Sequence, residues 1–239
     1  MKIAIIGYGR MGQEIEKRAV DRGHEITLVI DEENSSDLKP DNLNGIDVAI
    51  EFSLPSSAFE NITTCIKSGI PVISGTTGWL DRLDEVRSIC EDSGGTFMYA
   101  SNFSIGVNII FHLNKRLATI MKQFDDYNPS IEEIHHTMKL DAPSGTAITI
   151  ASDIVSESEK FKKWVAGPTG NTEEEIPVFS KRIGKIPGTH MVNWLSESDK
   201  ITIGHEALSR EGFAIGAVFA AEYIQNKKGI YSMSDMLGF

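Results

Sequence analysis

The most informative segment for chemistry runs from His135 to Ala147, with the sequence HHTMKLDAPSGTA. Two adjacent histidines, His135 and His136, are followed by Lys139, and a Pro-Ser-Gly-Thr run then opens a helix. Pro143 stiffens the approach and Ser144 is suited to cap, which leaves free N–H groups at Gly145 and Thr146. Such a helix start holds anions, carboxylates included. Imidazole and ammonium groups beside it supply protons and positive charge. The set reads as a site for a small anionic substrate that is protonated during its reaction. Metal is the rival reading for the histidine pair. Neighbours along a strand point to opposite faces, and no H-x-x-x-H helix pattern is present, so no metal is expected.

A second set of residues opens the chain. Gly7-Tyr8-Gly9-Arg10-Met11-Gly12 follows the apolar run Ile3–Ile6 and precedes a helical pattern. In G-x-G-x-x-G the first glycine permits a tight turn and the second lets backbone approach a pyrophosphate. The third lets helix and strand pack closely. Asp31 stands at the end of the next apolar run, where a carboxylate accepts hydrogen bonds from an adenosine ribose. The competing reading is a glycine-tolerant turn with Asp31 as a loop carboxylate. Glu32 and Glu33 follow, and three carboxylates repel a 2′-phosphate, partly offset by Arg10. NADH is therefore expected to serve at least as well as NADPH. Three further loops lie past strand ends: Phe52-Ser53, Gly75-Thr76-Thr77-Gly78 and Ala100-Ser101-Asn102-Phe103. Ligands of open parallel sheets bind at that edge, although ordinary turn chemistry explains Gly and Thr there equally well.

These residues need elements to hold them. Short apolar runs at Ile3–Ile6, Ile26–Ile30, Val48–Phe52, Pro71–Ser74 and Thr96–Tyr99 alternate with helical periodicity at Met11–Val20, Ser56–Lys67 and Leu80–Cys90. That predicts a Rossmann-type, doubly wound parallel sheet. The polar stretch between Ile30 and Val48 predicts a loop or at most one helical turn. The pattern then changes. A long helix is expected over Ile105–Met121 and a strand over Ser130–Thr137. A second helix follows over Ser144–Ser156, extending at most to Lys163. Further strands are expected at Pro177–Ile183, Thr189–Leu195 and Lys200–His205, with a last helix over Glu211–Asn226 and a short tail. This predicts an α/β chain with two domains. One, the dinucleotide-binding domain, comprises residues 1–104 with 210–239. The other, a substrate-binding and oligomerisation domain of α+β type with a mixed or antiparallel sheet, comprises 105–209.

Composition narrows the function classes. The 239 residues carry a formal net charge of −11, which repels nucleic-acid phosphates and anionic lipid. Neither nucleic acid nor membrane is an expected partner. No apolar run is long enough to span a bilayer. Cys65 and Cys90 form neither a disulfide framework nor a C-x-x-C pair and read as buried thiols of a reducing compartment. With no leader pattern before Ile3, a cytoplasmic location is expected.

The stretch His135–Ala147 resembles the signature of the dihydrodipicolinate reductase family. The similarity extends to Gly9–Gly12, Gly75–Gly78, Ala100–Asn108 and Ser209-Arg210, in order along nearly the whole chain. The resemblance implies reduction of a cyclic dicarboxylate imine by NADH or NADPH on the way to diaminopimelate and lysine. It implies His135 as general acid and Lys139 as second proton donor. His136, Lys139, Gly145 and Thr146 would hold the substrate carboxylates. Gly7, Tyr8, Gly9, Arg10, Met11 and Gly12 would contact the dinucleotide, with Asp31, Phe52, Ser53, Gly75, Thr76, Thr77, Ala100, Ser101, Asn102, Phe103 and Arg210. It also implies a homotetramer formed through the second domain's sheet. Four departures stand out: a glycine loop one residue shorter, Glu32 in place of an arginine, Met138 in place of a third histidine, and a short segment after Asp31 that loses a peripheral helix. Two alternatives stay open: another amino-acid or dicarboxylate dehydrogenase on this scaffold, and a dinucleotide sensor without turnover.

Overall fold

The computed structural model describes residues 1–167, 172–209 and 211–239. It comprises two compact units, residues 1–105 with 211–239 and residues 106–210. In chain order the elements begin with β1 (Lys2–Ile6), α1 (Arg10–Asp21), β2 (Glu25–Ile30), α2 (Pro40–Leu43) and β3 (Val48–Glu51). There follow α3 (Pro55–Lys67), β4 (Val72–Ser74), α4 (Leu83–Asp92), β5 (Thr96–Tyr99), α5 (Ile105–Met121) and β6 (Asn128–His135). Next come α6 (Gly145–Glu157), β7 (Lys163–Ala166), β8 (Glu175–Arg182), β9 (Gly188–Leu195) and β10 (Lys200–Ala207). The chain closes with α7 (Glu211–Ile224), β11 (Gly229–Tyr231) and α8 (Met233–Leu237).

The first unit is an all-parallel sheet in the order β11-β5-β4-β3-β1-β2. Its strands read as unbroken apolar runs because both faces are covered. Ala4, Ile6, Ala49, Val72 and Phe97 pack on the side that holds Ala58 and Ile62 of α3 and Val86 of α4. Their alternating neighbours Ile3, Ile5, Val48, Ile50, Ile73 and Met98 pack with Ile15 of α1 and with Ala214, Ala217, Val218 and Ala221 of α7. The period of two along each strand thus sorts one sequence into two cores.

Two parts of this unit go beyond the sequence reading. The short tail contains β11, which extends the sheet beside β5, and α8, closed by a reciprocal Ser232–Asp235 capping box. The segment after Asp31 forms a 3₁₀ turn at Ser35–Asp37 and the four-residue α2, more than the single turn expected.

The second unit is a mixed sheet in the order β10-β9-β6-β8-β7. β6, β8 and β7 run parallel to one another, while β9 runs antiparallel to both β6 and β10. Ile131, Val178 and Val192 face Ile110 and Ala118 of α5 and Ala147, Ile150 and Ile154 of α6. The second helix does not reach Lys163. Ser158 is extended (φ −104°, ψ 139°), and Lys163–Ala166 pairs with Glu175–Val178 as a strand that the sequence reading did not expect.

Candidate active site

The sheet register of the second unit builds one constellation row by row. Ile131 of β6 stands between Val178 of β8 and Val192 of β9, an apolar row. Two residues on, Glu133 stands between Ser180 and His190, and His190 itself pairs with His205 of β10. Two residues further, His135 is beside Arg182. Side chains two apart share a face, so the inward face of this sheet changes from apolar to ionisable as it nears one edge. β6 and β8 end at that edge and β9 starts there.

Glu133 is wholly buried, and His135 and His190 are 7% and 5% exposed. Both Glu133 oxygens accept the Ser144 N–H at 3.1 Å, and Oε1 also accepts Arg182 Nη2 at 3.1 Å. His135 Nδ1 lies 3.3 Å from Oε2, an ion-pair distance off the line of a hydrogen bond, and His190 Nε2 lies 3.8 Å from it. Burial opposes ionisation of Glu133. The neighbouring His135 imidazole and the donors of Ser144, Ser180 and Arg182 prevail and hold its carboxyl well below the usual carboxylate range. Burial, reinforced by His135, pushes His190 down to about 4, so its imidazole is neutral at pH 7. Gly188 leaves room for the imidazole beside it: a Cβ there would stand 3.0 Å from His135 Nε2.

The loop leaving β6 is fixed by Arg182, whose Nε donates to the Lys139 carbonyl at 3.3 Å and whose Nη2 donates to the Asp141 carbonyl. Lys139 Nζ pairs with Asp141 at 2.8 Å, and this ammonium keeps the Asp141 carboxyl low against the effect of burial. Pro143 follows a cis peptide bond. Ser144 then caps α6, its hydroxyl accepting the Ala147 N–H at 3.3 Å and meeting His190 Nε2 at 3.2 Å. Among the described residues the N–H groups of Gly145 and Thr146 have no protein acceptor, and a Cβ on Gly145 would meet nothing within 4 Å. That helix start can receive an anion.

Of the residues expected here, His135, Lys139, Gly145 and Thr146 lie along this one strand, loop and helix start. His136 is half-buried and, next along the strand, falls on the opposite face from His135. Sequence reasoning gave no role to Glu133, Arg182 or His190. Alternation along β6 could have flagged Glu133 on the face of His135; the other two needed the register. Ligand atoms of Glu133, His135 and His190 lie within 4.8 Å of one another, a spacing a metal ion can use. Glu133 is already neutralised by Arg182, and a cation there would sit against that guanidinium. The cluster fits proton handling better.

The first unit has a cleft of about 710 Å³ past the ends of β1, β2 and β3. Gly7, Tyr8, Gly9, Asp31, Phe52 and Ser53 line it. Gly7 has φ +93°, and a Cβ on it would fall 2.0 Å from the Phe52 carbonyl oxygen, so only glycine serves. A Cβ on Gly12 would fall 2.2 Å from the Gly7 carbonyl oxygen, which is the close helix–strand contact the motif demands. Gly9 is the N-cap of α1 with no side-chain cap, and a Cβ on it would meet nothing within 4 Å. Asp31 is exposed, with Oδ1 turned to the Glu33 N–H at 2.9 Å. An uncapped helix start, an open glycine and a carboxylate at the end of β2 fit a dinucleotide: pyrophosphate at Gly9–Met11, ribose at Asp31.

The remaining expected positions divide. Arg10 and Met11 begin α1, and Ser101 and Thr77 are exposed at strand ends. Ala100 and Asn102 are partly buried in the turn after β5, where Asn102 Oδ1 accepts the Ser104 N–H at 2.8 Å. Gly75 lies against the Phe52 ring. Phe103 is a core residue, 1% exposed, with its ring 5.7 Å from that of Phe52. The Thr76 hydroxyl is committed inward to Glu51 at 2.8 Å. Arg210 lies outside the described residues. Glu51 is a residue the sequence reading missed. Fully buried at the end of β3, it accepts the Ser53 N–H at 3.0 Å, the Ser74 hydroxyl at 2.5 Å, and the hydroxyls of Thr76 and Ser53.

Comparison with known families decides the lineage. The model for the N-terminus of dihydrodipicolinate reductase matches residues 1–103, and the model for its C-terminus matches residues 106–237. The chain belongs to the dihydrodipicolinate reductase family. It is thus an oxidoreductase of this family. It is 52% identical to the 4-hydroxy-tetrahydrodipicolinate reductase of Christiangramia forsetii, covering 99% of this chain and 98% of that one. The Methanopyrus kandleri 4-hydroxy-tetrahydrodipicolinate reductase is 38% identical over 83% of this chain and 74% of its own. Among solved structures, dipicolinate-bound dihydrodipicolinate reductase from Paenisporosarcina sp. TG-14 shares the fold, with a TM-score of 0.78, 23% identity and 97% of each chain covered. Among the described residues, no helix is long and apolar enough to cross a membrane.

Proposed function

We propose that this chain reduces 4-hydroxy-tetrahydrodipicolinate, or the dihydrodipicolinate derived from it, to tetrahydrodipicolinate in diaminopimelate and lysine biosynthesis. Family membership and the names of the relatives support the substrate. The observation that carries the chemistry is the strand–loop–helix arrangement in which His135, Lys139 and the open start of α6 lie on one continuous segment.

The cleft at Gly7–Gly12 and Asp31 would hold a reduced nicotinamide dinucleotide, which when bound would supply the hydride. Gly145 and Thr146 offer N–H groups to a substrate carboxylate, and the Lys139 ammonium and a ring N–H of His136 serve the other. His135 gives its proton to the atom that becomes negative as hydride arrives, with Lys139 as second donor. A placed general acid contributes about 10²–10⁴-fold, so His135→Ala should lower kcat by that order with a smaller change in KM. Lys139→Ala should also raise KM. An unchanged kcat in the His135 variant would remove its role.

Either nicotinamide cofactor is compatible with the family; we infer that NADH serves at least as well as NADPH. Asp31, Glu32 and Glu33 present three carboxylates at the ribose end of the cleft, which repel a 2′-phosphate. A tenfold preference for NADPH in steady-state kinetics would overturn this. The deciding experiment follows the absorbance of reduced nicotinamide while the protein receives substrate freshly made by the preceding enzyme. Oxidation dependent on that substrate is expected; none would sink the assignment. We extend the reading to a homotetramer built through the second unit's sheet, where Leu195 is 55% exposed, testable by light scattering. Two free, buried cysteines support a reducing, cytoplasmic location.

A further inference from the structure

We propose that Glu133 is a positioning residue for the reduction: it fixes both the His135 imidazole and the loop that carries Lys139 to the start of α6. The inference rests on the proton-donor role given to His135 above.

Three connections converge on this one carboxylate. The Ser144 N–H is shared by both oxygens, which sets where α6 begins and so where the N–H groups of Gly145 and Thr146 lie. Arg182 Nη2 is held by Oε1, and the same guanidinium binds the carbonyls of Lys139 and Asp141. The loop is therefore clamped at its middle through Arg182 and at its end through Ser144, with Glu133 common to both. The third connection is Oε2 at 3.3 Å from His135 Nδ1.

A carboxylate beside Nδ1 favours a proton on that nitrogen and leaves Nε2 to perform the transfer. The Nε2–H bond breaks, its electron pair stays on the imidazole, and the proton bonds to the substrate atom made negative by hydride. The imidazole regains a proton from water before the next turnover. Glu133 contacts no reacting atom in this sequence; it acts through His135, Arg182 and Ser144.

Glu133→Gln keeps the shape and removes the charge. In the full-length protein it should lower kcat at least tenfold while leaving dinucleotide affinity, read by fluorescence titration, unchanged. Glu133→Asp should recover part of the loss. The titratable and charged groups of this cluster are Glu133 on the same strand as His135, Arg182 from β8, His190 from β9 with His205 beside it on β10, and the Lys139–Asp141 pair on the loop that Arg182 holds. Removing the one buried carboxylate leaves a cationic surround, so the alkaline limb of kcat/KM against pH should move to lower pH. A residue needed only for folding would not move that limb. Full kcat with an unmoved limb in Glu133→Gln would overturn the proposal. If that variant does not fold, ¹⁵N NMR of the imidazoles in the unaltered protein decides: a protonated His135 Nδ1 is expected, and a bare one refutes it. Turnover by the unaltered protein, run alongside, separates failure of this inference from failure of the assigned reaction.

Discussion

Each unit buries one carboxylate completely near the ends of its strands, and the two are satisfied in opposite ways. Glu51 ends β3 and receives neutral donors: the hydroxyls of Ser53, Ser74 and Thr76 and the Ser53 N–H. Glu133 receives a guanidinium and a backbone N–H, with two imidazoles within 4 Å. Hydroxyls can rotate to serve as donor or acceptor, so the Glu51 network tolerates rearrangement and ties β3 and β4 loops together. A guanidinium only donates and cannot lose its charge. The Glu133 network therefore fixes charge as well as shape, next to the imidazole assigned to move a proton. A buried carboxylate can serve as scaffold or as electrostatic clamp, and its donors show which.

The comparison is strained hardest by removing Arg182. Arg182→Met leaves Glu133 buried without its cation, and breaking such a pair costs about 3–5 kcal/mol. Urea unfolding should show a loss of that order together with sharply reduced turnover. A loss below 1 kcal/mol would mean that the backbone N–H alone satisfies Glu133.

The next effect is a pH dependence. An unfolded histidine titrates near 6.5, whereas His190 is pushed down to about 4 in the folded chain. Between those values the unfolded state binds the extra proton, so stability is full above about 6.5 and falls as pH drops toward 4, by up to about 3 kcal/mol. Glu133, held low in the folded chain, adds a further loss below the ordinary carboxylate range, near pH 4.3. Thermal unfolding from pH 7 to 4 should show this slope, and His190→Asn should flatten its upper part. An equal slope in the variant would assign it to another group.

Glu51→Gln probes the other network. The amide keeps the volume and the rotatable hydroxyls can re-pair with it, so a cost of about 1–2 kcal/mol is expected. Dinucleotide affinity should weaken severalfold because Ser53 lines the cleft. Damage as large as that from Arg182→Met would erase the distinction between the two carboxylates.

How much of this was legible in sequence follows from how far apart the partners lie along the chain. The first five strands of the first unit could be read because two-sided burial writes continuous apolar runs. Gly7 and Gly12 could be read because their contacts, with Phe52 and with each other, follow a known turn. β11 was missed because three residues carry too little periodicity and their pairing with Thr96–Met98 is long-range. β7 was missed for the same reason. In the site, His135, Lys139 and the start of α6 are neighbours in sequence. Arg182 and His190 reach it only through the β6–β8 and β6–β9 registers, which no local pattern encodes.

The smallest expected effect falls on Ser144, where backbone and side chain can be separated. Ser144→Ala removes the hydroxyl that caps the Ala147 N–H and meets His190 Nε2. It keeps the Ser144 N–H that both oxygens of Glu133 hold. Loss of an N-cap costs about 1 kcal/mol, and if the carboxylate sets the start of α6, kcat should stay within a few-fold of the unaltered protein. Calorimetry and steady-state kinetics on the same preparation would read both. A fall in kcat as deep as that of Glu133→Gln would show that the hydroxyl holds the helix start, and the contrast between clamp and scaffold would then rest on His135 and Arg182 alone.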